Sequence, residues 1–534
     1  MRQRKLIVLY LVISFCISLC GCVAPELSDC SEADSVASGH RDERRFDITA
    51  MKELVQAYRD SWDHIETNLQ AQIDDVLAAV DEAYAIYCRV QIDSYSDWEN
   101  DALYELSNAC IEDFYVSEEI AAWFFANGCK HSPDTALFEP YIEAEHIPYY
   151  LANNLSRIMA YARSDAALQS ERIHDYYDLS QEADIDIDAT NKRCAKIYLD
   201  MLKEMDVSEA LFDLYHRDYS AAETSAAYQE IKEYFLPIRN AAEELLLYDE
   251  LLTSDVLEKD PYALLEQYAE RLSPSIAESA EKLFSENLYT RAEGENCYDG
   301  SFTLNLPNER GGLMYTYLDG SFYDLITVTH EFGHFHADWR DVTPIYLQNS
   351  NMDIAEAQSQ SMVTLFLPYY DEIFGDDAER KQLLVLLDLL DSVISGFAVG
   401  EFEYQVTQRL ETITPSETAA LFAEIMEECG VYLELYQVSH LFEQPGYYIS
   451  YGVSALSALE MYALASADHQ EALAIYDKLS GYSCLSGENS FRDVMQSCGF
   501  TDYFAPTAIG SLAERLAPIV ENVNEQENTG HEAA

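Results

Sequence analysis

The sequence predicts a mainly α-helical protein with more than one lobe and a single small β-sheet. Its 534 residues exceed what one hydrophobic core usually holds, and 49% of them are hydrophobic, enough to fill a large interior. From about Asp47 onward, apolar residues recur at spacings of three and four, the period of one helix face. Residues 301–323 differ, because polar and apolar residues alternate there around Gly311-Gly312 and Asp319-Gly320, which predicts short strands and turns.

The helical pattern also predicts the domain organisation. The first block carries its apolar residues on one face from Met51 to Val80, and no proline interrupts residues 26–132. We expect an N-terminal helical domain over 46–200 and a second helical domain over 201–521. Residues 522–534 are polar and acidic, so we expect a disordered tail there.

The first residues have the features of an export signal. Arg2, Arg4 and Lys5 precede an apolar run, residues 6–19, that is shorter than the roughly 20 residues of a membrane-spanning helix. Such a run is typical of a signal peptide, so we expect the mature protein to leave the cytoplasm.

The end of this signal, Leu19-Cys20-Gly21-Cys22, resembles a bacterial lipobox. That resemblance implies cleavage before Cys22 and a lipid on its sulfur. We expect a lipoprotein signal peptide at 1–21, a polar tether at 22–45, and an extracytoplasmic protein that is lipid-anchored to the bacterial cell membrane. A secreted protein cleaved near the same position is the alternative.

The charge excludes two classes of partner. The chain has 96 acidic and 32 basic residues and a formal net charge of −64. Such a surface repels nucleic acid and anionic lipid, so we expect no nucleic-acid partner and no membrane contact except through the lipid on Cys22. The cysteines after the signal include no Cys-x-x-Cys pair, which argues against a cysteine zinc site. Most of them are expected to be free, and Cys484 with Cys498 is a pair that could bridge.

The residues with the clearest chemistry are His330-Glu331-Phe332-Gly333-His334, an HExxH pattern. On a helix, the two histidines lie on one face with Cβ atoms about 6 Å apart, so both imidazoles can reach one zinc ion. Glu331 lies beside that face and can take a proton from the attacking water. The alternative is two polar histidines on an exposed turn. His336 lies about 200° around the helix from His334, so we expect it to be structural.

A zinc site of this kind needs a third protein ligand, and Glu356 is the best candidate. It follows the histidines at a distance that leaves room for one helix, a turn around Pro344 and a second helix. Asp353, one turn earlier, could orient a histidine through its ring N–H. The alternative is that Glu356 is one of many surface acids. The predicted ligands of a single Zn²⁺ ion are therefore His330, His334 and Glu356.

Two blocks of the sequence resemble the thimet oligopeptidase and oligoendopeptidase F family of zinc metallopeptidases. Segment 324–362 is similar to its metal-binding core, with HEFGH followed by Glu-x-x-Ser at Glu356. Segment 440–452 is similar to its His…Pro-Phe-Tyr-Tyr-x-x-Tyr-Gly block, and a weaker likeness covers Glu401-Phe-Glu-Tyr-Gln and Thr414-Pro-Ser-Glu. The resemblance extends over about 300–460.

The resemblance implies a fold of two helical lobes around a deep substrate channel, with 201–521 as the zinc metallopeptidase catalytic domain. It implies endopeptidase action on short unstructured oligopeptides. At the matching positions, Tyr448 and Tyr451, assisted by His440, stabilise the oxyanion of the reaction. The strand at 313–318 resembles the one that pairs with the substrate backbone.

Two departures from the family pattern keep other functions open. Gly446 replaces an aromatic residue, which favours a looser loop, and Val363 stands where related sequences often have Glu. One alternative is therefore an inactive, lipid-anchored peptide-binding protein with the same fold. Another is a different zinc hydrolase on a helical scaffold, such as a carboxypeptidase.

Overall fold

The computed structural model describes residues 44–62, 68–160, 162–163, 176, 179, 186–205, 215, 217–247 and 256–533, without the side chains of residues 204, 247 and 522–533. The predicted signal peptide, 1–21, and residues 22–43 of the predicted tether lie outside the described residues. The lipid on Cys22 therefore stays a prediction.

The chain divides into two compact units, of which the first comprises Met1–Arg172 and Pro344–Gln348. Its centre is a cluster of buried rings, in which Trp62 and Phe138 have centroids 5.5 Å apart. The Ile345 N–H donates to Asp81 Oδ1 at 2.8 Å, which attaches the short second segment. The helices of this unit are α1 (Ile48–Ser61), α2 (Leu69–Ser96), α3 (Asp101–His131) and α4 (Ile147–Ala152).

The second unit comprises Ile173–Thr343 and Asn349–Ala534. It contains the HExxH sequence and the tyrosine-rich segment 440–452. Its helices are α5 (Ile187–Glu204), α6 (Ala221–Leu247), α7 (Pro261–Leu272), α8 (Pro274–Ser285), α9 (Tyr323–Arg340), α10 (Met352–Leu365), α11 (Tyr370–Phe374), α12 (Ala378–Thr407), α13 (Pro415–Cys429), α14 (His440–Glu443), α15 (Ile449–Ala467), α16 (His469–Leu479), α17 (Phe491–Cys498) and α18 (Ala508–Ala533).

The local sequence explains where several of these helices begin. The Thr414 side chain accepts from the N–H of Glu417, and the Glu417 carboxylate accepts from the N–H of Thr414, a capping box that starts α13 just before Pro415. Asn351 Oδ1 accepts from the N–H of Ile354 and starts α10. The helix that carries Glu356 therefore begins one turn before that residue.

The sheet lies in the second unit, directly before α9. It consists of β1 (Tyr289–Ala292), β2 (Phe302–Leu306) and β3 (Gly311–Tyr317), in the order β1-β3-β2. The hairpin β2–β3 is antiparallel, as the alternating sequence predicts, whereas β1 pairs with β3 in parallel. β1 is too short for its period to be recognised in the sequence.

Two close helix crossings hold the centre of the second unit. A Cβ atom on Gly333 of α9 would lie 2.5 Å from the Cα atom of Ser359 on α10. On the other side, a Cβ atom on Gly396 of α12 would lie 2.4 Å from the backbone N of Gly452 on α15. Both distances are shorter than any real Cβ contact, so α9–α10 and α12–α15 can pack this closely only with glycine.

The mainly α-helical class with one small sheet is confirmed, while the predicted boundaries differ from the structure. α5 belongs to the second unit, so the division lies before this helix and not at 200/201. Helix α18 continues to Ala533, so its backbone includes all but the last residue of the segment 522–534 in which a tail was expected.

Two further sequence features are resolved by burial. Cys484 and Cys498 are both buried and do not form a disulfide with each other. Most of the other described cysteines are buried as well. The stretch Met352–Thr407 is apolar enough to cross a membrane, but 72% of its most apolar window is buried, as in an ordinary core helix.

The α9–α10 crossing can be tested with Gly333→Ala. The added methyl group must push α9 away from the Ser359 backbone, and we expect a loss of about 1–3 kcal/mol of unfolding free energy despite the better helix propensity of alanine. Urea unfolding of the metal-free protein measures this loss.

Gly510→Ala is the matched control. It also lies in a helix, but its Cβ atom would meet only the Tyr234 ring, at 3.4 Å, an ordinary contact. We expect it to be neutral or to stabilise by up to about 1 kcal/mol. Equal unfolding midpoints for the two variants would contradict the close crossing.

Candidate metal centre

His330, His334 and Glu356 meet at the α9–α10 crossing. The rings of His330 and His334 have centroids 5.0 Å apart on successive turns of α9. Glu356 reaches them from α10, with Oε2 3.5 Å from His330 Nε2 and Oε1 3.8 Å from His334 Nε2. One ligand atom from each residue lies within 4.8 Å of the other two. The structure thus brings together the three residues that the sequence predicts as ligands.

The protonation of these groups suits a cation. Burial lowers the pKa of both His330 and His334 to about 4, so both imidazoles are neutral near pH 7 and each keeps a lone pair. Burial raises the pKa of Glu356, while His330 and the hydroxyls of Tyr447 and Ser359 lower it again. Two neutral imidazoles and one carboxylate are the donor set of a catalytic zinc site, so the residues present fit a zinc ion.

Glu331 is buried beside these ligands and is held by the sheet. Thr303 Oγ1 on β2 lies 2.8 Å from Glu331 Oε2 and 3.0 Å from the Glu331 carbonyl oxygen. Burial, opposed by the Thr303 hydroxyl and reinforced by the carboxylates of Glu356 and Asp338, raises the pKa of Glu331 to about 8. The contact with Thr303 was not predicted, because nothing in the strand sequence marks that residue.

The tyrosine-rich segment 440–452 contacts one predicted metal ligand, Glu356, through Tyr447. Its hydroxyl donates to Glu356 Oε1 at 2.9 Å, and its ring stacks on His440 with centroids 5.1 Å apart. The Tyr451 hydroxyl lies 3.4 Å from His440 Nε2. Burial raises the pKa of Tyr447 and of Tyr451 well above the usual value, so both phenols keep their protons near pH 7.

Tyr448 belongs to the same group of rings. Its ring packs against those of His440 and Tyr451, with centroids 5.8 Å and 5.5 Å away. The sequence predicts a catalytic role for Tyr448 and Tyr451, and the structure adds Tyr447, whose hydroxyl contacts the predicted metal ligand Glu356. Because 447 and 448 are adjacent tyrosines, only the backbone conformation decides which one faces Glu356.

The glycine at position 446 does not loosen its loop. Its φ angle of +83° lies in the left-handed region, where an aromatic residue would be strained. Its N–H donates to Glu403 Oε1 at 2.7 Å, and its carbonyl oxygen accepts from Arg217 Nη1 at 2.7 Å. Glu403 belongs to the weaker of the family-like sequences, and its function here is to hold this loop.

Two residues near the motif have other partners than a metal. Asp353 accepts from the Tyr219 hydroxyl at 2.6 Å and lies 3.4 Å from Arg217 Nε, so the expectation that it orients a histidine is wrong. His336 is buried against Ser279, with Nδ1 2.8 Å from Oγ, and burial lowers its pKa to about 3.

The sheet offers a different strand to a ligand than the sequence predicts. β3 is the central strand, and β1 pairs with its residues 314–317 while β2 pairs with its residues 311–315. β2 is an edge strand, and it is the one that contacts Glu331 through Thr303. Much of the segment 313–318 is therefore already paired within the sheet, and β2 offers the more accessible edge beside Glu331.

A cavity of about 440 Å³ opens at His330 and Glu331, and its lining is acidic. No lysine or arginine lines it among the described residues. Besides Glu331, four aspartates contribute to its wall: Asp299, Asp319, Asp324 and Asp388. Burial, reinforced by Asp391, raises the pKa of Asp388 to about 6. Asp388 is therefore charged at pH 7.5 and largely neutral at pH 5.

Known proteins resemble this chain in fold but not detectably in sequence. No family model and no characterised protein matches the chain by sequence. Among solved structures, an oligoendopeptidase F from Bacillus anthracis is 16% identical, with a TM-score of 0.68 over 91% of this chain and 98% of that one. PZ peptidase A with an inhibitor is 17% identical, with a TM-score of 0.63 over 92% of this chain and 100% of that one.

A third structure has the same general fold with a different name. Metallocarboxypeptidase 1 of Trypanosoma cruzi is 13% identical, with a TM-score of 0.53 over 88% of this chain and 99% of that one. The mainly α-helical fold of oligoendopeptidase F is shared by this chain, as the resemblance implies.

The pKa pattern predicts proton release when the metal-free protein binds Zn²⁺. At pH 7 the Glu331 carboxyl, with a pKa of about 8, is mostly protonated, and a nearby dication lowers that pKa. The histidines are already neutral and release nothing. We expect close to one proton released per ion, measured by titration calorimetry in two buffers of different ionisation enthalpy.

Glu331→Gln is the control for this measurement, since the amide has no proton to lose and Glu331 is not a predicted ligand. We expect the variant to bind Zn²⁺ with clearly less proton release. Equal release from both proteins would assign the proton to another group.

Proposed function

We propose that this protein is a zinc-dependent oligopeptidase of the oligoendopeptidase F family. The observation that carries the proposal is the convergence of His330, His334 and Glu356 within 4.8 Å, with Glu331 buried beside them. HExxH and Glu-x-x-Ser lie on two different helices. Their side chains meet at one point in the fold, which is the arrangement that a shared metal ion requires. The shared fold supports the assignment independently of the motif.

His330, His334 and Glu356 would hold the ion, and Glu331 would move the proton. When bound, zinc supplies a Lewis acid that activates water and the peptide carbonyl. Thr303 engages Oε2 of Glu331, so Oε1 is the oxygen that takes the proton of the attacking water. A carboxyl with a raised pKa can then return that proton to the leaving amine.

The tyrosine-rich segment would stabilise the negative charge that develops on the peptide carbonyl oxygen. Tyr451 and His440 are hydrogen-bond donors that remain uncharged near pH 7 and stabilise the developing oxyanion. Tyr447 keeps the Glu356 carboxylate in place through its 2.9 Å hydrogen bond. Tyr448, whose ring packs against those of His440 and Tyr451, is proposed to serve the same oxyanion.

The substrates are short unstructured oligopeptides, and β2 is the strand that their backbone pairs with. An extended peptide can add to the free edge of β2 by main-chain hydrogen bonds, close to the Glu331 carboxylate that Thr303 holds. The lipobox at Cys22 supports a place of action outside the cytoplasm, with the enzyme lipid-anchored to the cell membrane.

Glu331→Gln tests the general base. We expect the variant to keep one zinc ion per chain and to lose at least about 100-fold in kcat on a quenched fluorescent peptide, because the amide cannot accept the water's proton. Atomic absorption and a stopped assay give the two numbers. Turnover at the wild-type rate would end the assignment of Glu331.

Digestion of a peptide mixture, with and without a chelator, separates the competing functions. We expect internal cleavage, read by mass spectrometry, that stops when the metal is removed and returns with added zinc. Trimming of single residues from the carboxyl end would indicate a carboxypeptidase, the activity in the name of one structural neighbour. Binding without cleavage would favour the peptide-binding alternative.

The acidic cavity predicts a preference for peptides with lysine or arginine near the cleaved bond. For Asp388→Asn we expect kcat/KM on a lysine-containing peptide to fall by about threefold to tenfold, the effect of roughly 1 kcal/mol of lost attraction. The same peptide with glutamine in place of lysine is expected to be unaffected. Lowering the pH through about 6 neutralises Asp388 and should weaken the preference in the wild type.

Asp391→Asn, compared at pH 7.5 where Asp388 is charged with or without its neighbour, is the matched control, because Asp391 lies one turn away on α12 and pairs with Arg239 at 2.8 Å without lining the cavity. An equal effect of both variants on the lysine-containing peptide would show that the preference does not come from Asp388.

A further inference from the structure

One buried arginine connects the two halves of the candidate site. The side chain of Arg217 is 1% exposed and that of its partner Asp353 is 2% exposed, so the pair is fully removed from water. Arg217 lies just before α6, far in sequence from both the HExxH helix and the tyrosine segment. It is not part of any motif, and no catalytic chemistry assigned above uses it.

The guanidinium holds the tyrosine segment at two points. Nη1 donates to the carbonyl oxygen of Gly446 at 2.7 Å, and Nη2 donates to Ser450 Oγ at 2.7 Å. These two acceptors stand on either side of Tyr447 and Tyr448. A planar fork that binds both ends of so short a segment fixes its orientation as well as its position.

The third nitrogen faces the helix of the metal ligand. Nε lies 3.4 Å from Asp353 Oδ2, in the first turn of α10 and one turn before Glu356. The same carboxylate oxygen accepts from the Tyr219 hydroxyl at 2.6 Å. One side chain therefore contacts both the α10 helix that supplies Glu356 and the segment that supplies Tyr447.

These contacts surround the 2.9 Å hydrogen bond between Tyr447 and Glu356. Glu403 holds the Gly446 N–H from the other side, and the Tyr215 hydroxyl donates to the Pro445 carbonyl oxygen. Of these three anchors, Arg217 is the one whose described polar contacts join the segment to α10. Arg217 therefore opposes a rotation of segment 446–450 relative to α10 together with the Tyr447–Glu356 hydrogen bond itself.

We propose that Arg217 is a positioning residue that locks segment 446–450 to the first turn of α10, so that Tyr447 and Tyr451 stay in register with Glu356. The inference rests on the proposed function, because register between these groups affects a rate only if the site cleaves peptides. Arg217 touches no reacting atom, and its effect on the reaction passes through the tyrosines.

Arg217→Lys and Arg217→Gln test the proposal, with Arg239→Gln as control. Lysine keeps the charge beside Asp353 but cannot bind the carbonyl and the hydroxyl as a fork. Arg239 also forms ion pairs, with Asp391 and Glu243, but contacts no residue of the metal centre. We expect kcat to fall by about 10- to 100-fold in both Arg217 variants, the range for a misplaced catalytic group. KM and zinc content should stay within about twofold, and the control should keep its kcat.

A double-mutant cycle with Tyr451→Phe separates positioning from general stability. If Arg217 acts through the tyrosine, Arg217→Lys should have little further effect on kcat in the Tyr451→Phe background. The affinity for a phosphinic peptide, a mimic of the tetrahedral transition state, should fall by the same factor as kcat/KM in Arg217→Lys. Additive effects on kcat, or an unchanged phosphinic affinity, would overturn the proposal.

Ser450→Ala covers the case in which the Arg217 variants do not fold. It removes one of the two prongs with a small neutral change, and we expect a few-fold loss in kcat with a wild-type melting temperature. A wild-type kcat in this variant and in any Arg217 variant that folds would overturn the proposal. Wild-type protein that cleaves no peptide would instead overturn the proposed function, and this inference with it.

Discussion

The candidate site depends on how closely α9 and α10 approach each other. Gly333 lies between the two histidines of the motif, and the backbone of Ser359 occupies the space that any side chain at 333 would need. Because Ser359 is one turn after Glu356, this contact sets the separation of the carboxylate from both imidazoles. The Gly in HEFGH and the Ser in Glu-x-x-Ser are therefore the two contact points of one helix crossing. The relative positions of the three predicted ligands depend on this crossing.

Burial determines the chemistry of the groups that meet there. The same removal from water lowers the pKa of His330 and His334 and raises that of Glu331, so the metal-free site holds neutral imidazoles and a largely neutral acid. Two carboxyl groups, Glu331 and Glu356, share this small volume and raise each other's cost of ionisation. A bound dication would offset the repulsion between the two carboxylates. Such a cluster therefore costs less free energy to bury with a metal ion than without one.

The remaining groups reach the site from separate elements, and polar contacts bring them into register. β2 holds Glu331 through Thr303, Glu403 of α12 holds Gly446, and Arg217 joins segment 446–450 to α10. The close α12–α15 crossing at Gly396 and Gly452 sets the depth at which Tyr451 lies. The site thus lies where several helices, the strand β2 and segment 446–450 meet. Close backbone contacts and buried hydrogen bonds fix their positions.

The sequence by itself determined the helical class and the β2–β3 hairpin, because these follow from periods within single elements, and it singled out the three candidate ligands. The helical period places His330 beside His334, and the family-like spacing of Glu356 identifies the third donor. Tertiary structure alone decided that Tyr447 and not Tyr448 faces Glu356, that β3 is central and β2 is the edge, and that Thr303, Glu403 and Arg217 support the site. Those outcomes depend on contacts between residues distant in the chain, which no local period records: Arg217 meets Gly446 only after α6, α10 and α15 have packed. Asp353 shows the same limit, since its place one turn before a ligand suggested a histidine partner, while the fold supplies an arginine and a tyrosine.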